Sequence, residues 1–329
     1  MFERVQLPKL SLLQNYKGEI LHPSLDRLLQ TLSSVQIQKK DRYRFRDHFD
    51  PAAFCFRWPQ FIGEKDLRFA TDQASTFVEY IKEHPEISDI LITGGDPMIM
   101  NVKKLKAYIE PLLEIEHITN IRIGSKAVSY WPYRFVSDKD SQEILALFQK
   151  VVASGRSLAF MAHINHHREI ETPIAQQALT NIQQTGAIIR SQSPLLKGIN
   201  DSADVWAKMW RLQVKLGIVP YYMFKERDTG PKEFFGLTLE EAYNIFTTAY
   251  KQVSGLSRTV RGPSMSAHPG KVLLHGIQEI NNQKVFILSM VQSRDPNIVN
   301  KPFFAKYNPN AYWLDDLEPA FADSFPFSK

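Results

Sequence analysis

Lys271 stands where a Gly/Pro-containing loop runs into a β-like segment, at the end of Arg261-Gly262-Pro263-Ser264-Met265-Ser266-Ala267-His268-Pro269-Gly270-Lys271. A lysine in a closed, partly apolar pocket loses proton affinity, and its neutral amine can form a Schiff base with a carbonyl such as that of pyridoxal phosphate. The same residue on an open surface is an ordinary solvated cation. His163 and Asn165, in His163-Ile164-Asn165-His166-His167-Arg168-Glu169, are two apart and so share one face of a strand. A zinc site there needs a third ligand that the stretch does not supply. Thr93-Gly94-Gly95-Asp96-Pro97 joins two glycines, which let backbone groups approach a ligand, to a carboxylate that could bind an amine. The same residues also make a tight turn. Arg122-Ile123-Gly124-Ser125-Lys126 offers a guanidinium and a hydroxyl suited to a carboxylate or phosphate, or else ends a strand in solvent.

Two further loops are polar. Ser191-Gln192-Ser193-Pro194-Leu195-Leu196-Lys197-Gly198-Ile199-Asn200-Asp201 is rich in hydrogen-bonding groups, and Asn200 and Asp201 could also cap the next helix. Lys225-Glu226-Arg227-Asp228-Thr229-Gly230 clusters charges that suit a substrate site or a salt-bridged surface loop. Cys55, in Phe54-Cys55-Phe56-Arg57-Trp58-Pro59, is the chain's one cysteine, which excludes an internal disulfide and any site built from several of its own thiolates. By itself it reads as a buried thiol among aromatics.

The elements that must position these residues alternate in type. β-rich runs at Arg42–Phe45, Ile87–Thr93, Ile118–Gly124, Ser157–Ile164, Ala187–Pro194 and Val219–Lys225 are each followed by a helical pattern. The helical stretches are Thr71–Glu83, Val102–Ile115, Ser141–Ala153, Pro173–Thr185, Ala203–Leu216 and Thr238–Val253, with Pro173, Gly186, Gly217 and Thr238 as start and stop signals. Six such units predict an α/β fold, a parallel sheet curled into a partial (β/α)6 TIM-like barrel whose reactive loops follow the strands. The expected organisation is an N-terminal extension over 1–40, the barrel over 41–255, and a C-terminal hairpin and tail over 256–329. There Arg261–Gly270 reads as a Gly/Pro/Ser segment, followed by two β-like runs, Lys271–Ile280 and Lys284–Gln292, turning at Asn281–Asn282 and closing over the barrel. The aromatics of the tail, Pro302–Lys329, suggest packing against the body or against a partner.

Composition narrows the function. At 329 residues, 43% hydrophobic and 23% charged, the chain has the balance of a globular protein. A net charge of +5, with acidic residues interleaved among basic ones, is too weak to argue for nucleic acid. Apolar runs such as Ser157–His163 stop well short of the roughly 18 residues that a membrane span needs. The charged start, MFERVQLPKL, is unlike a secretory signal, so the cytoplasm is the expected compartment.

Taken together and in this order, the loops resemble the lysine 2,3-aminomutase family of radical S-adenosylmethionine enzymes, from about Arg42 to Lys271. The resemblance rests on Ile92-Thr93-Gly94-Gly95-Asp96-Pro97, Arg122-Ile123-Gly124-Ser125, His163-Ile164-Asn165-His166 with Glu169-Ile170, Gln192-Ser193 with Leu195 through Asp201, and Pro269-Gly270-Lys271. It implies a barrel of the radical S-adenosylmethionine type that uses pyridoxal phosphate, S-adenosylmethionine and a 4Fe-4S cluster to move an amino group between adjacent carbons of an amino acid. It also makes self-association compatible with the chain.

By the same resemblance Lys271 is the Schiff-base lysine and Arg42 the phosphate-binding arginine. Gly94, Gly95, Asp96, Arg122, Ser125, His163, Asn165 and Gln192 are the remaining cofactor-facing residues, and Arg57 holds the substrate carboxylate. Cys55 matches the third cysteine of the family's C-x3-C-x2-C motif, but His48 and Ala52 stand at the other two positions, so the thiolates that hold such a cluster are missing. Where lysine-specific relatives place two aspartates, this chain has Arg227 or its neighbour Asp228, and Ser264. A basic residue there repels a lysine side chain and favours an acidic substrate such as glutamate. The competing expectation is a non-catalytic relative that keeps the barrel, with or without pyridoxal phosphate, and has lost the cluster.

Overall fold

The computed structural model describes residues 74–93, 95–226, 232–267, 269–293 and 295–328, apart from the side chains of residues 76, 232 and 233. Arg42, Cys55, Arg57, Gly94, Arg227 and Asp228, together with the expected strand Arg42–Phe45, lie outside the described residues.

Strands β1 (Asp89–Ile92), β2 (Asn120–Ser125), β3 (Ser157–His163), β4 (Ile188–Leu195), β5 (Val219–Lys225) and β6 (Arg261–Ala267) pair in chain order, all parallel. The longer helices are α1 (Ala74–Glu83), which precedes β1, and, between the strands, α2 (Val102–Ile109), α3 (Ser141–Ala153), α4 (Pro173–Gln184), α5 (Ala203–Lys215) and α6 (Leu239–Lys251). Their starts are written in the sequence. Asn101 accepts the Lys104 amide at 2.9 Å to cap α2, and Thr172 accepts the Ala175 amide at 3.3 Å ahead of Pro173. Thr238 and Glu241 form a reciprocal capping box on α6. The expected helix Val102–Ile115 divides, because Pro111 has no N–H to donate and the chain tightens into a 3-10 turn over Glu110–Glu114.

In the C-terminal third one segment departs from expectation. Arg261–Ala267 is a strand, and β5 tolerates it through a slip in register: Tyr222 pairs with Arg261 and Phe224 with Ser264, so three residues of β6 span two of β5 and absorb Gly262-Pro263. The two runs that follow form the antiparallel hairpin β7 (Gly270–Ile280) and β8 (Gln283–Ser293). They turn at Asn281 and Asn282 with φ of 51° and 60°, the left-handed pair that a two-residue hairpin requires. This hairpin continues the sheet from β6, and β9 (Pro302–Lys306) follows as the last of nine strands among the described residues.

Strand alternation gives the sheet two chemically different faces. Ile121, Ile123, Leu158, Phe160 and Ile189 pack under the helices with Leu105, Phe148, Trp206 and Trp210. A second apolar cluster joins Met265, Val272 and Leu288 to Tyr312, Trp313 and Phe325, so the aromatic tail packs on the body. Among the described residues no helix is long and apolar enough to cross a membrane.

Candidate functional site

The other face of the parallel sheet, here the inner face, carries the polar residues. Register places Gly124, Met161 and Arg190 in one row across β2 to β4, and His163, Gln192 and Tyr222 in the next row across β3 to β5. His163 and Gln192, expected to face a cofactor, are therefore strand neighbours. Asn165, two residues beyond His163, is 3% exposed, and its side-chain oxygen Oδ1 is buried without a hydrogen-bond partner. An orphaned acceptor of that kind costs about 1–3 kcal/mol unless a ligand or water satisfies it.

Lys271 is the second residue of β7 and pairs with Ser266 on β6. Its Nζ lies 4.2 Å from the ring centroid of Tyr222 and 5.2 Å from that of Phe224, two rings stacked at 5.0 Å on β5. Burial first, and then the charges of Arg122 and Arg261, hold its ammonium below the ordinary lysine value. The Tyr222 face favours the cation, so ring and desolvation act in opposite senses. Ser264, opposite Phe224, is 0% exposed with its hydroxyl unpartnered. A partly desolvated amine thus lies over two aromatic rings of β5, and the second of these, Phe224, is paired across the strands with the buried Ser264.

Asp96 is 7% exposed, and both carboxylate oxygens are engaged. Oδ1 accepts the Met98 amide at 2.9 Å and the Ser125 hydroxyl at 2.8 Å, and Oδ2 accepts the Lys126 amide at 2.8 Å. Asp96 and Ser125 therefore clasp the loop after β1 to the end of β2. Arg134, 3% exposed, holds the same loop from behind by donating to the carbonyls of Met98 at 2.7 Å and Met100 at 2.8 Å. Arg122 is paired through Nε with Asp89 Oδ1 at 2.6 Å. Lys126 reaches Glu169 at 2.9 Å, joining the loops after β2 and β3.

Asn200 does not cap α5, whose N-cap is Ser202. Its fully buried side chain instead accepts the Leu196 amide at 2.7 Å and donates to the carbonyls of Asn165 at 2.8 Å and Pro194 at 3.0 Å, tying the loops after β3 and β4. Asp201 accepts the Gly198 amide at 2.7 Å within its own loop. Lys225 and Glu226 pair at 3.3 Å beneath the tail, where Tyr312 donates to Glu226 and its ring centroid lies 3.3 Å from Lys225 Nζ. Tyr222, Phe224, Arg190 and Arg261 were not singled out from the sequence. The available signal was a charge or ring at an inner-face position of a strand, as Arg190 is two residues after Ile188 and two before Gln192.

No family model matches the chain. An Aquifex aeolicus protein provisionally named L-lysine 2,3-aminomutase is 34% identical over 270 residues, which cover 82% of this chain and 70% of that protein. The L-lysine 2,3-aminomutase of Acetoanaerobium sticklandii is 32% identical over 166 residues, or 50% of this chain and 38% of that one. The glutamate 2,3-aminomutase of Clostridioides difficile is 24% identical over 196 residues, or 60% and 44%. The chain thus spans less than half of these last two proteins. A solved radical SAM methyltransferase from Sphaerobacter thermophilus is matched at 16% identity with a TM-score of 0.28, over 50% of this chain and 56% of that one, which is too loose to carry an argument. By its match to the Aquifex protein, at 34% identity over 82% of this chain and 70% of that one, the chain belongs to the lysine 2,3-aminomutase family.

Proposed function

We propose that the chain is an amino-acid 2,3-aminomutase of the radical S-adenosylmethionine class, which holds pyridoxal phosphate through Lys271 and takes a free α-amino acid with an acidic side chain. The observation that carries this reading is the Lys271 amine, half-buried over Tyr222 with its proton affinity lowered. Pyridoxal phosphate, when bound, supplies a carbonyl that captures a primary amine and a conjugated ring that delocalises electrons from the adjacent carbon.

The chain's own residues fit that group. Lys271 offers a neutral amine at a lower pH than a solvated lysine does, and Tyr222 and Phe224 wall its apolar side. The unpartnered Ser264 hydroxyl is placed to hydrogen-bond a ligand. For S-adenosylmethionine the proposed contacts are Gly95, His163, Asn165 and Gln192, with Asp96 and Ser125 acting by holding the loop that carries Gly95. Arg261, which among the described residues has no carboxylate partner, brings positive charge to the Lys271 side of the site, which supports an acidic substrate in place of lysine. Glutamate is expected to bind in equilibrium dialysis and lysine is not; equal retention of the two would sink the acidic reading.

The cluster does not fit. Thiolates hold the irons of a 4Fe-4S cluster, and Cys55 is the single cysteine of the sequence. This observation favours a second reading, a relative that binds pyridoxal phosphate and an amino acid without radical chemistry. Iron and sulfide analysis after anaerobic reconstitution separates the two. About four irons per chain would mean that other ligands complete the cluster and would uphold the aminomutase reading, whereas background iron selects the second.

A further inference from the structure

Strands β4 and β5 run in register through Ser191 and Pro220 and then slip, so that Gln192 pairs with Tyr222 and Tyr221 is the extra residue of a bulge. A bulge re-aims a side chain that strict alternation would send to the opposite face. Tyr221 thus meets Tyr222 edge-on, with ring centroids 4.5 Å apart at 75°. Two guanidiniums converge on this pair from the flanking strands. Arg190 Cζ lies 5.1 Å and Arg261 Cζ 5.6 Å from the Tyr221 centroid, and Arg261 Nη1 donates to the Tyr222 hydroxyl at 3.3 Å. Among the described residues neither guanidinium is ion-paired with a carboxylate.

A guanidinium against an aromatic ring keeps N–H donors along its edge, in the fork that matches two oxygens of a carboxylate or phosphate. Two of them beside one ring, with Lys271 over the neighbouring ring, concentrate positive charge that only an anion would balance. We propose that Arg190 and Arg261, set by the Tyr221–Tyr222 pair, form an oxyanion-binding site on the inner face beside Lys271.

The oxyanion has two candidate sources, the phosphate of pyridoxal phosphate and the side-chain carboxylate of an acidic amino acid. Naming these sources rests on the proposed function, but binding of the oxyanion does not. The test is calorimetry on the full chain with inorganic phosphate, L-glutamate, pyridoxal phosphate and pyridoxal, comparing the parent with Arg190→Gln, Arg261→Gln and the double variant. Each single variant should weaken phosphate binding about 10-fold and the pair about 100-fold, the ordinary worth of charge-assisted hydrogen bonds.

A loss for pyridoxal phosphate that spares pyridoxal identifies the cofactor phosphate as the occupant. A loss for glutamate that spares pyridoxal phosphate identifies the substrate carboxylate. Arg190→Lys, which keeps the charge without the fork, should fall between parent and Arg190→Gln, and this holds even if the double variant does not fold. Phosphate and glutamate binding that is undetectable in the parent, or equal in parent and single variants, overturns the site. Phosphate bound normally by a parent that never captures pyridoxal phosphate at Lys271 would instead fell the proposed function and leave this site standing.

Discussion

Lys271→Ala is expected to abolish covalent capture of pyridoxal phosphate. After borohydride treatment, peptide mass spectrometry of the parent should show the pyridoxyl increment on Lys271, and the variant should release all of its cofactor on dialysis. An unchanged yield of increment on another lysine would overturn the assignment. The pH dependence follows from the direction of the shift. Burial, reinforced by Arg122 and Arg261, lowers the Lys271 value in the folded chain, so the neutral amine appears at a lower pH than for a solvated lysine. The capture rate should therefore level off below the usual lysine range.

The same shift has a stability consequence. Between its lowered folded value and the ordinary one near 10.5, Lys271 binds fewer protons in the folded than in the unfolded chain. Stability from this group therefore rises with pH across that window, and its cost is fully present below the folded value. Lys271→Met, which keeps the stem and drops the charge, should be more stable than the parent at neutral pH. The advantage should shrink as pH climbs toward the ordinary lysine value.

The helices and most of the sheet were legible in the sequence because their signals are local. Pro173 behind Thr172, and Thr238 three residues before Glu241, mark helix starts without reference to the rest of the chain. The strand Arg261–Ala267 was not legible. Gly262-Pro263 speaks against a strand, and it is accommodated only because β5 slips past it, which is a property of the pair and not of either segment. The site divides in the same way. Lys271, His163, Asn165 and Gln192 stand out by type and spacing. The aromatic faces that desolvate Lys271 come from β5, 47 to 49 residues earlier in the chain, and only the fold brings them near.

Asp96 and Asn200 show how one motif can carry structure and chemistry together. Each sits in a loop that looks built for a ligand, and each spends its side chain on backbone groups of a neighbouring loop. Of the polar atoms left over, Asn165 Oδ1 is buried in one of the loops those clasps hold in place, and Ser264 Oγ is buried on β6. Fixing the loops through one set of polar residues lets a second set stay unsatisfied until a ligand arrives, at a cost of about 1–3 kcal/mol per group.

Gly270→Ala is expected to be among the most damaging single-methyl changes in the chain. Gly270 has φ of +146°, and a Cβ there would stand 2.0 Å from the carbonyl oxygen of Gln292, a backbone atom of the paired strand β8 that cannot swing aside as a side chain could. The backbone conformation alone costs about 1–3 kcal/mol for an L residue, and the clash adds to it, so a loss above ~3 kcal/mol is expected in denaturant titration. Gly155→Ala is the control: φ is +82° there, and nothing lies within 4 Å of the added carbon. The excess loss in Gly270→Ala reports the clash together with the less accessible backbone angle at +146°. Because the clash falls one residue before Lys271, any Gly270→Ala protein that still folds must part β7 from β8 beside Lys271. Its borohydride-trapped yield should then drop while that of Gly155→Ala stays at the parent level. Equal losses and equal trapped yields in the two variants would show that the β7–β8 contact at Gly270 does not position Lys271.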